Sequence, residues 1–148
     1  MTYDVHIVFD CAAVEAVSRF WLTALPGYDY PGSPPDLPAG SPPHGFDTWE
    51  AWADASEIPV DQRYAARTII DTAGHRPDIF FLAVPEGKTV KNRVHLDIKA
   101  SAGLPASEVE ARQDAEAERL IAVGATLVER VAGHLVLRDV EGNEFCIT

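Results

Sequence analysis

The residues with the clearest chemical potential are two histidines that each follow a valine at the start of a β-rich segment. His6 lies in Val-His-Ile-Val-Phe at residues 5–9, and His95 lies in Val-His-Leu-Asp-Ile at residues 94–98. An imidazole can bind a metal ion or transfer a proton near neutral pH. Asp97, two residues after His95, makes this pair a candidate general acid or base. The repeated dipeptide predicts a site to which two similar segments contribute.

A second candidate group lies in Glu-Phe-Cys-Ile at residues 144–147. Residues two apart in a strand point to the same face, so Glu144 and Cys146 are expected side by side. Glu144 is a candidate for acid–base chemistry, and Cys146 for metal or ligand binding. A cysteine is more often a small buried apolar residue than a nucleophile, because reactivity requires a lowered thiol pKa.

Alternation along the strands predicts which side chains face a cleft and which pack on helices. The apolar sets should pack on helices, and these are Val5, Ile7, Phe9, Val94, Leu96, Ile98, Phe145 and Ile147. The opposite sets should face the cleft, and these are His6, Val8, Asp10, His95, Asp97, Lys99, Glu144 and Cys146. The two imidazoles are therefore expected on the walls of one cavity.

The elements that would position these side chains repeat along the chain. The first half is predicted to contain a strand at 3–9, a helix at 13–25, and strands at 28–30, 64–70 and 79–84. The second half is predicted to contain a strand at 93–99, a helix at 108–123, and strands at 125–130, 134–138 and 143–147. The sequence thus predicts an α+β fold made of two tandem βαβββ modules, at 1–86 and 92–148, in one domain spanning 1–148.

Residues 31–63 interrupt the first module with a proline-rich loop and a short helix. The prolines exclude regular strand pairing in the first part of this insertion. Asp47 followed by Glu50 predicts the helix start as a capping box, and Trp49 and Trp52 then share one face. These tryptophans have two interpretations. They either pack into the core, or they cover the cleft and offer an aromatic wall to a planar ligand.

Four stretches carry a resemblance to a known family, namely Phe20-Trp21 and residues 84–98, 119–125 and 138–147. In these stretches the chain resembles the glyoxalase-like branch of the vicinal oxygen chelate superfamily. The resemblance covers the chain outside roughly residues 31–63. It implies two βαβββ modules whose sheets curl around one open cleft, and it makes a homodimer an expected assembly. Members include glyoxalases, ring-cleaving dioxygenases, epimerases, fosfomycin thiol transferases and proteins that sequester antibiotics.

The resemblance also implies where a metal ion would bind. Metal-using members take ligands from the first and last strand of each module, and these positions fall at His6, His95, Cys146 and near Leu82. A His-His-Cys set suits zinc, with open positions for water and substrate. Leu82 cannot bind a metal and Cys146 replaces the usual carboxylate, which favours a pocket that requires no cofactor. A divalent metal such as zinc is the alternative.

Composition limits the partners that the chain would take. The sequence has 148 residues and a formal net charge of −11, which argues against nucleic acids and anionic membranes. No apolar run approaches the ~20 residues of a membrane helix, and no signal peptide is visible. The two cysteines are far apart and form no metal-type pair. These features predict a reduced, cytoplasmic protein.

The sequence therefore predicts binding of a small metabolite or antibiotic, partly aromatic or carbonyl-bearing, in the cleft between the sheets. The expected ligand-binding residues are His6, Val8, Trp49, Trp52, Leu82 and Cys146, and the expected catalytic groups are His95, Asp97 and Glu144. The alternative is a metal-dependent lyase, isomerase or dioxygenase. In that alternative the cation stabilises an enolate-like charge on a substrate bound through two oxygens.

Overall fold

A computed structural model describes residues 3–148 of the chain. Residues 1 and 2, which the predicted first module and domain include, lie outside the described residues. The chain falls into two compact units, with the boundary between Gly87 and Lys88. Each unit contains one four-stranded sheet. No helix among the described residues is long and apolar enough to cross a membrane.

The first unit follows the order strand, helix, strand, helix, strand, strand. Its elements are β1 (Ile7–Cys11), α1 (Val14–Ala24), β2 (Tyr28–Asp29), α2 (Trp49–Ala55), β3 (Ala66–Asp71) and β4 (Ile79–Ala83). In the sheet the strands lie in the order β1-β4-β3-β2. β1 is parallel to β4, and the other neighbouring strands are antiparallel.

The second unit repeats this arrangement without the additional helix. Its elements are β5 (Asp97–Ile98), α3 (Ala106–Ile121), β6 (Thr126–Val131), β7 (His134–Arg138) and β8 (Glu144–Ile147). The strand order is β5-β8-β7-β6, again with a parallel pair formed by the first and last strands. The shared strand order confirms the α+β class and the twofold use of one βαβββ unit.

One face of the first sheet packs on α1. The ring centre of Phe9 lies 5.1 Å from that of Trp21 and 5.4 Å from that of Phe81. Trp21 and Phe81 are buried, as are Val14 and Val17 of the same helix. Their spacing of three or four residues places Val14, Val17 and Trp21 on one apolar stripe, which explains why α1 covers this face. The opposite face is left for other contacts.

The second sheet buries one face against α3. Phe145 and Ile147 of β8 are fully buried, as are Leu135 and Leu137 of β7. Leu120 of α3 is also fully buried, and α3 contacts both strands. Burying a side chain of this size stabilises the fold by about 1.5–3 kcal/mol relative to leaving it exposed. This core therefore fixes which residues of β7 and β8 point the other way, and it confirms the alternation predicted for β8.

The first strand begins later than predicted. The sequence predicts a strand at 3–9, whereas β1 runs from Ile7 to Cys11 and matches the length of its partner β4. The Ile7 N–H donates to the Asp78 carbonyl at 3.0 Å, which aligns the starts of the two strands. His6 therefore precedes the strand instead of lying within it.

The strand predicted at 93–99 is wrong for its first four positions. β5 contains only Asp97 and Ile98, and Val94 is 80% exposed instead of packing on a helix. One reason is that β5 is an edge strand whose partner β8 has only four residues. The other is that the Glu144 side chain accepts the backbone N–H of Asn92 at 3.0 Å, so the segment before β5 is held by a side chain instead of by strand pairing.

The start of α2 also differs from the prediction. The predicted cap, Asp47, is one residue too early, because Oγ1 of Thr48 accepts the Ala51 N–H at 3.0 Å. Thr48 has the extended backbone of a helix cap, with φ −142° and ψ 157°. Trp49 and Trp52 nevertheless lie next to each other as their spacing predicts, with ring centres 5.4 Å apart.

Candidate functional site

The polar face of the second sheet follows from the burial of its other face. Because Phe145 and Ile147 point into the core, Glu144 and Cys146 point to the opposite side of β8. In the strand register Cys146 lies beside Asp97 of β5. Two carboxylates and a thiol, all three predicted as site residues, are thus brought to one face.

His95 joins this face just before β5. Its Nε2 lies 3.3 Å from Oδ1 of Asp97. Ligand-type atoms of His95, Asp97 and Cys146 all lie within 4.8 Å of one another. The His95 and Asp97 side chains are about half exposed, at 45% and 47%, whereas Cys146 is buried. An imidazole, a carboxylate and a thiol therefore converge at a place that a small molecule or ion can reach.

The thiol of Cys146 is held in its protonated form. Burial raises the pKa of Cys146. The Asp97 carboxylate raises this pKa further, through its negative charge and by accepting a hydrogen bond from the thiol. The positive charge of Lys91 opposes the shift only in part. A buried, protonated thiol is a weak nucleophile, so Cys146 is better suited to hydrogen bonding or to metal binding after loss of its proton.

Glu144 lies on the same face but is engaged by the protein itself. Its Oε2 accepts hydrogen bonds from the Asn92 N–H at 3.0 Å and from Nζ of Lys88 at 3.0 Å. These bonds, the Asn92 N–H first, lower the pKa of Glu144 to about 2. Glu144, which was predicted to act as an acid or base, thus stays ionised near neutral pH and anchors residues 88–92. Lys88 and Asn92 were missed because they lie more than fifty residues from Glu144 in sequence.

A polar cavity of about 550 Å³ lies within the second unit. Its lining includes the cations of Lys88, Lys91 and Arg138 together with the carboxylates of Glu129, Glu141 and Glu144. Because Glu144 already neutralises Lys88, the cavity offers Lys91 and Arg138 as the cations for an incoming oxygen-rich ligand. Nε of Arg138 is 3.7 Å from Glu144, which is a looser contact.

The predicted site residues of the first unit lie on or near the open face of its sheet. Val8 is 55% exposed and Leu82 is 39% exposed, on the side of the sheet opposite α1. Nε2 of His6 lies 3.9 Å from Asp78, and the His6 side chain is 62% exposed. Among the residues that the structure describes, the cluster of His95, Asp97 and Cys146 is the only group of three potential metal ligands. His6 as a ligand rests on the family resemblance.

Trp49 and Trp52 differ in their surroundings. The indole N–H of Trp49 donates to the Gly40 carbonyl at 2.8 Å, and its ring meets Tyr30 edge to face at 5.6 Å. These contacts favour a packing role for Trp49, which is half-buried. Trp52 is also half-buried, and both tryptophans line an apolar cavity in the first unit.

The cluster in the second unit has a donor set that suits a divalent transition metal. Zinc is bound in proteins by imidazole nitrogen, thiolate sulfur and carboxylate oxygen, and sites with three protein ligands keep one position open. His95, Asp97 and Cys146 supply one donor of each kind within 4.8 Å. The residues present therefore fit a metal ion, although the set differs from the predicted one because Asp97 takes part.

The class of protein follows from the repeated unit. Two βαβββ units, each with the strand order described above, define a protein of the vicinal oxygen chelate fold. The profile of the glyoxalase-like domain family matches residues 6–148. The chain belongs to the glyoxalase-like domain family. No curated protein matches the sequence.

Solved structures agree with this assignment of the fold. A possible glyoxalase from Bacillus cereus has a TM-score of 0.59 at 13% identity, covering 100% of this chain and 99% of that chain. The fosfomycin resistance protein FosX from Mesorhizobium loti has a TM-score of 0.57 at 11% identity, covering 99% and 90%. FosX from Listeria monocytogenes, in a complex with Mn(II) and sulfate, has a TM-score of 0.54 at 13% identity, covering 99% and 91%. These identities support the shared fold alone.

Proposed function

We propose that the protein binds a small metabolite or antibiotic, partly aromatic or carbonyl-bearing, at the polar face of the second unit. The observation that supports this proposal is the convergence of His95, Asp97 and Cys146 within 4.8 Å at an accessible place. Polar groups that converge in a cavity orient a ligand through its own polar atoms. The fosfomycin resistance activity named for one structural neighbour makes an antibiotic a reasonable member of this ligand class.

The charges in the second unit indicate which chemical group of the ligand would bind at the cluster. Lys91 places positive charge near the Cys146 thiol, Arg138 lines the polar cavity of the same unit, and His95 can donate a hydrogen bond to a carbonyl or carboxylate oxygen. Asp97 would hold the His95 ring in a fixed orientation and would repel a second carboxylate placed too close. An α-keto acid is therefore a suitable minimal probe, since it carries both a carbonyl and one carboxylate.

The test is a titration of metal-free, isotope-labelled protein with pyruvate, followed by NMR. We expect saturable shifts of amide signals in β5 and β8, and weaker binding in the His95→Ala variant. His75→Ala is the matched control, because His75 is an exposed histidine of the first unit. Absence of saturable shifts in the second unit, for pyruvate and for a wider set of oxygen-rich fragments, would contradict the proposal.

A second candidate is a metal-dependent lyase, isomerase or dioxygenase. The donor set of His95, Asp97 and Cys146 favours it, as does the Mn(II) complex of one structural neighbour. These three residues would hold the ion, and a bound divalent cation would polarise a carbonyl oxygen and stabilise enolate-like charge. The Cys146 thiol would release its proton to solvent when its sulfur binds the ion, so the affinity for metal would rise with pH.

Calorimetric titration with Zn²⁺ and Mn²⁺ separates the two candidates. One equivalent of metal, lost in His95→Ala and in Asp97→Asn but retained in His75→Ala, would favour the metal-dependent enzyme. The same titration of His6→Ala tests the ligand position implied by the family resemblance. Pyruvate binding that persists in a chelator favours the cofactor-free candidate. The homodimer implied by the same resemblance is tested by sedimentation velocity.

A further inference from the structure

The first unit contains a cavity of about 300 Å³ that lies outside the cluster described above. It is lined by α2 and by the first half of β3, which has no strand partner on that side because β2 pairs only with Ile70 and Asp71. The volume is at the lower end of the roughly 300–1,000 Å³ that small-molecule sites occupy. All lining residues belong to the first unit, so the cavity is independent of the proposed function.

The walls of this cavity are aromatic. Trp49, Trp52, Tyr30 and Phe80 all line it. Phe80 is half-buried on the sheet, on the face opposite α1, and Trp52 is half-buried on α2. Aromatic rings offer a planar ligand a large apolar contact and a defined stacking geometry, worth more than their area alone. The cavity thus has the shape and surface for a flat ring.

Contacts outside the cavity hold the aromatic side chains of its wall in place. The hydrogen bond from Trp49 to Gly40 and the edge-to-face contact with Tyr30 hold the Trp49 ring. Tyr30 is buried, and its hydroxyl lies 3.2 Å from Oγ of Ser18 on α1. Trp52 packs edge to face on Trp49 at 5.4 Å. Across residues 3–148, no protein acceptor lies within hydrogen-bonding distance of the Trp52 indole N–H, so this donor is available to a ligand.

Two arginines at the cavity have different electrostatic surroundings. Arg63 is neutralised by Asp54 at 2.6 Å and also donates to the Ile58 carbonyl at 2.9 Å. Arg67 is half-buried and donates only to the carbonyls of Arg63 and Ala66. Within the described part of the chain, no carboxylate lies within 4 Å of the Arg67 guanidinium.

The pKa of Glu50 is lowered first by a backbone hydrogen bond, then by the Tyr64 hydroxyl, and as a lesser cause by the charge of Arg67, so Glu50 and Arg67 interact only over a distance. Glu50 is exposed and accepts a hydrogen bond from the Tyr64 hydroxyl at 3.1 Å. The guanidinium of Arg67 instead lies 5.8 Å from the centre of the Tyr64 ring. The chain has a net charge of −11, so a half-buried arginine without a carboxylate within 4 Å is unusual in this protein. An anionic ligand would supply the missing partner, because arginine forms strong paired hydrogen bonds with carboxylates.

We propose that this cavity binds a planar aromatic carboxylate. The ring lies against Trp52, and the carboxylate is bound by the guanidinium of Arg67. This assigns to the first unit a ligand site of its own, with a chemistry unlike that of the polar cluster in the second unit. It also gives the insertion at 31–63 a function, since α2 supplies one wall.

Benzoate is the probe, with benzyl alcohol as its uncharged analogue and cyclohexanecarboxylate as its non-planar analogue. All three tryptophans belong to the first unit, so intrinsic fluorescence reports on this unit alone. We expect a saturable fluorescence change with benzoate and much weaker binding of both analogues. The loss should be about tenfold or more for benzyl alcohol, because it lacks the charge-assisted pair with arginine.

Substitution of Arg67 supplies the residue-specific test. Arg67→Met should raise the Kd for benzoate by about tenfold or more, and Arg67→Lys should fall between this variant and the wild type. Arg93→Met is the matched control, because Arg93 is exposed in the second unit and its loss changes the net charge equally. Equal affinity of benzoate and benzyl alcohol, or an unchanged Kd in Arg67→Met, would overturn the proposal.

An NMR titration of the wild type decides the matter if Arg67→Met does not fold. The indole N–H signal of Trp52 should shift most on addition of benzoate, because this group lines the cavity and has no protein acceptor. The signal of Trp21, which is 1% exposed in the core, should stay in place. Benzoate-induced shifts that are confined to the second unit would overturn the proposal without affecting the test with pyruvate, which is read at β5 and β8.

Discussion

Lys88 and Glu144 are 56 residues apart in the sequence, and their side chains meet at 3.0 Å. The same carboxylate oxygen accepts the Asn92 N–H at 3.0 Å. Because Glu144 lies in β8, an inner strand, these two hydrogen bonds tie the segment before β5 to the middle of the second sheet. One carboxylate therefore shapes the border of the polar cavity that Lys88 and Glu144 both line.

Glu144→Gln should weaken this border and destabilise the second unit. The amide can still accept one hydrogen bond from Asn92, but it loses the charge that attracts Lys88. We expect a loss of about 1.5–3 kcal/mol in the free energy of unfolding, as is typical for hydrogen bonds that involve a charged group. Urea denaturation followed by far-ultraviolet circular dichroism measures the loss. Glu129→Gln, an exposed carboxylate on β6, is the control that should stay within error of the wild type.

The contribution of Glu144 should depend on pH. Its pKa in the folded protein is about 2, below the usual value of 4.5 that applies to the unfolded chain. Between these values the unfolded chain binds the proton and the folded protein does not, so stability falls as the pH decreases. The contribution is fully present above pH 4.5 and is lost as the pH falls through about 2. The stability difference between the wild type and Glu144→Gln should shrink over this window, and a difference independent of pH would contradict the assignment.

The sequence predicted the repeated βαβββ unit because apolar and polar residues alternate along a strand that buries one face of its sheet. Phe145 and Ile147 are fully buried as expected, and their alternation alone placed Cys146 on the other face. The same rule failed at Val94, because the length of an edge strand depends on its partner and on the distant Glu144. Local patterns contain no information on that contact.

The candidate site was predictable to a similar extent. His95, Asp97 and Cys146 were named from residue type and strand period, and the structure brings them within 4.8 Å. Asp97 as a member of the ligand set was not predicted, since the register of β5 against β8 decides which residue lies beside Cys146. Arg67 gave no signal in the sequence, because the absence of a carboxylate partner is visible only in three dimensions.

The two candidate caps of α2 give a direct comparison of sequence and structure. Thr48→Ala should cost about 1 kcal/mol, the usual effect of removing a cap, because the Ala51 N–H loses its acceptor. Asp47→Ala should have little effect, since no side-chain bond of Asp47 supports the helix start. Thermal unfolding followed by tryptophan fluorescence reports both variants, as α2 carries Trp49 and Trp52. A larger loss for Asp47→Ala would show that the helix starts one residue earlier.

Gly124 and Gly133 form a matched pair for backbone strain in the second unit. Both have positive φ, at 110° and 88°. An added Cβ at Gly124 would lie 2.7 Å from Val140, whereas at Gly133 it would meet nothing within 4 Å. We expect Gly133→Ala to cost about 1–2 kcal/mol from the left-handed backbone alone. Gly124→Ala should cost about 1 kcal/mol more, because the β-branched Val140 must move. Equal losses by urea denaturation would show that Val140 yields freely.

The position of the last strand within each sheet affects how the chain folds during its synthesis. In each unit the strand that is last in sequence lies between the first strand and the third strand of its sheet. Within residues 3–148 the edge strands β1 and β5 pair only with β4 and β8, so they stay unpaired until β4 and β8 have left the ribosome. The first unit can complete its sheet once Ala83 has emerged, whereas the second must wait for Ile147. A nascent chain halted after Ala83 and before Ile147 has emerged should therefore have a complete first sheet and a second sheet that still lacks its inner strand β8.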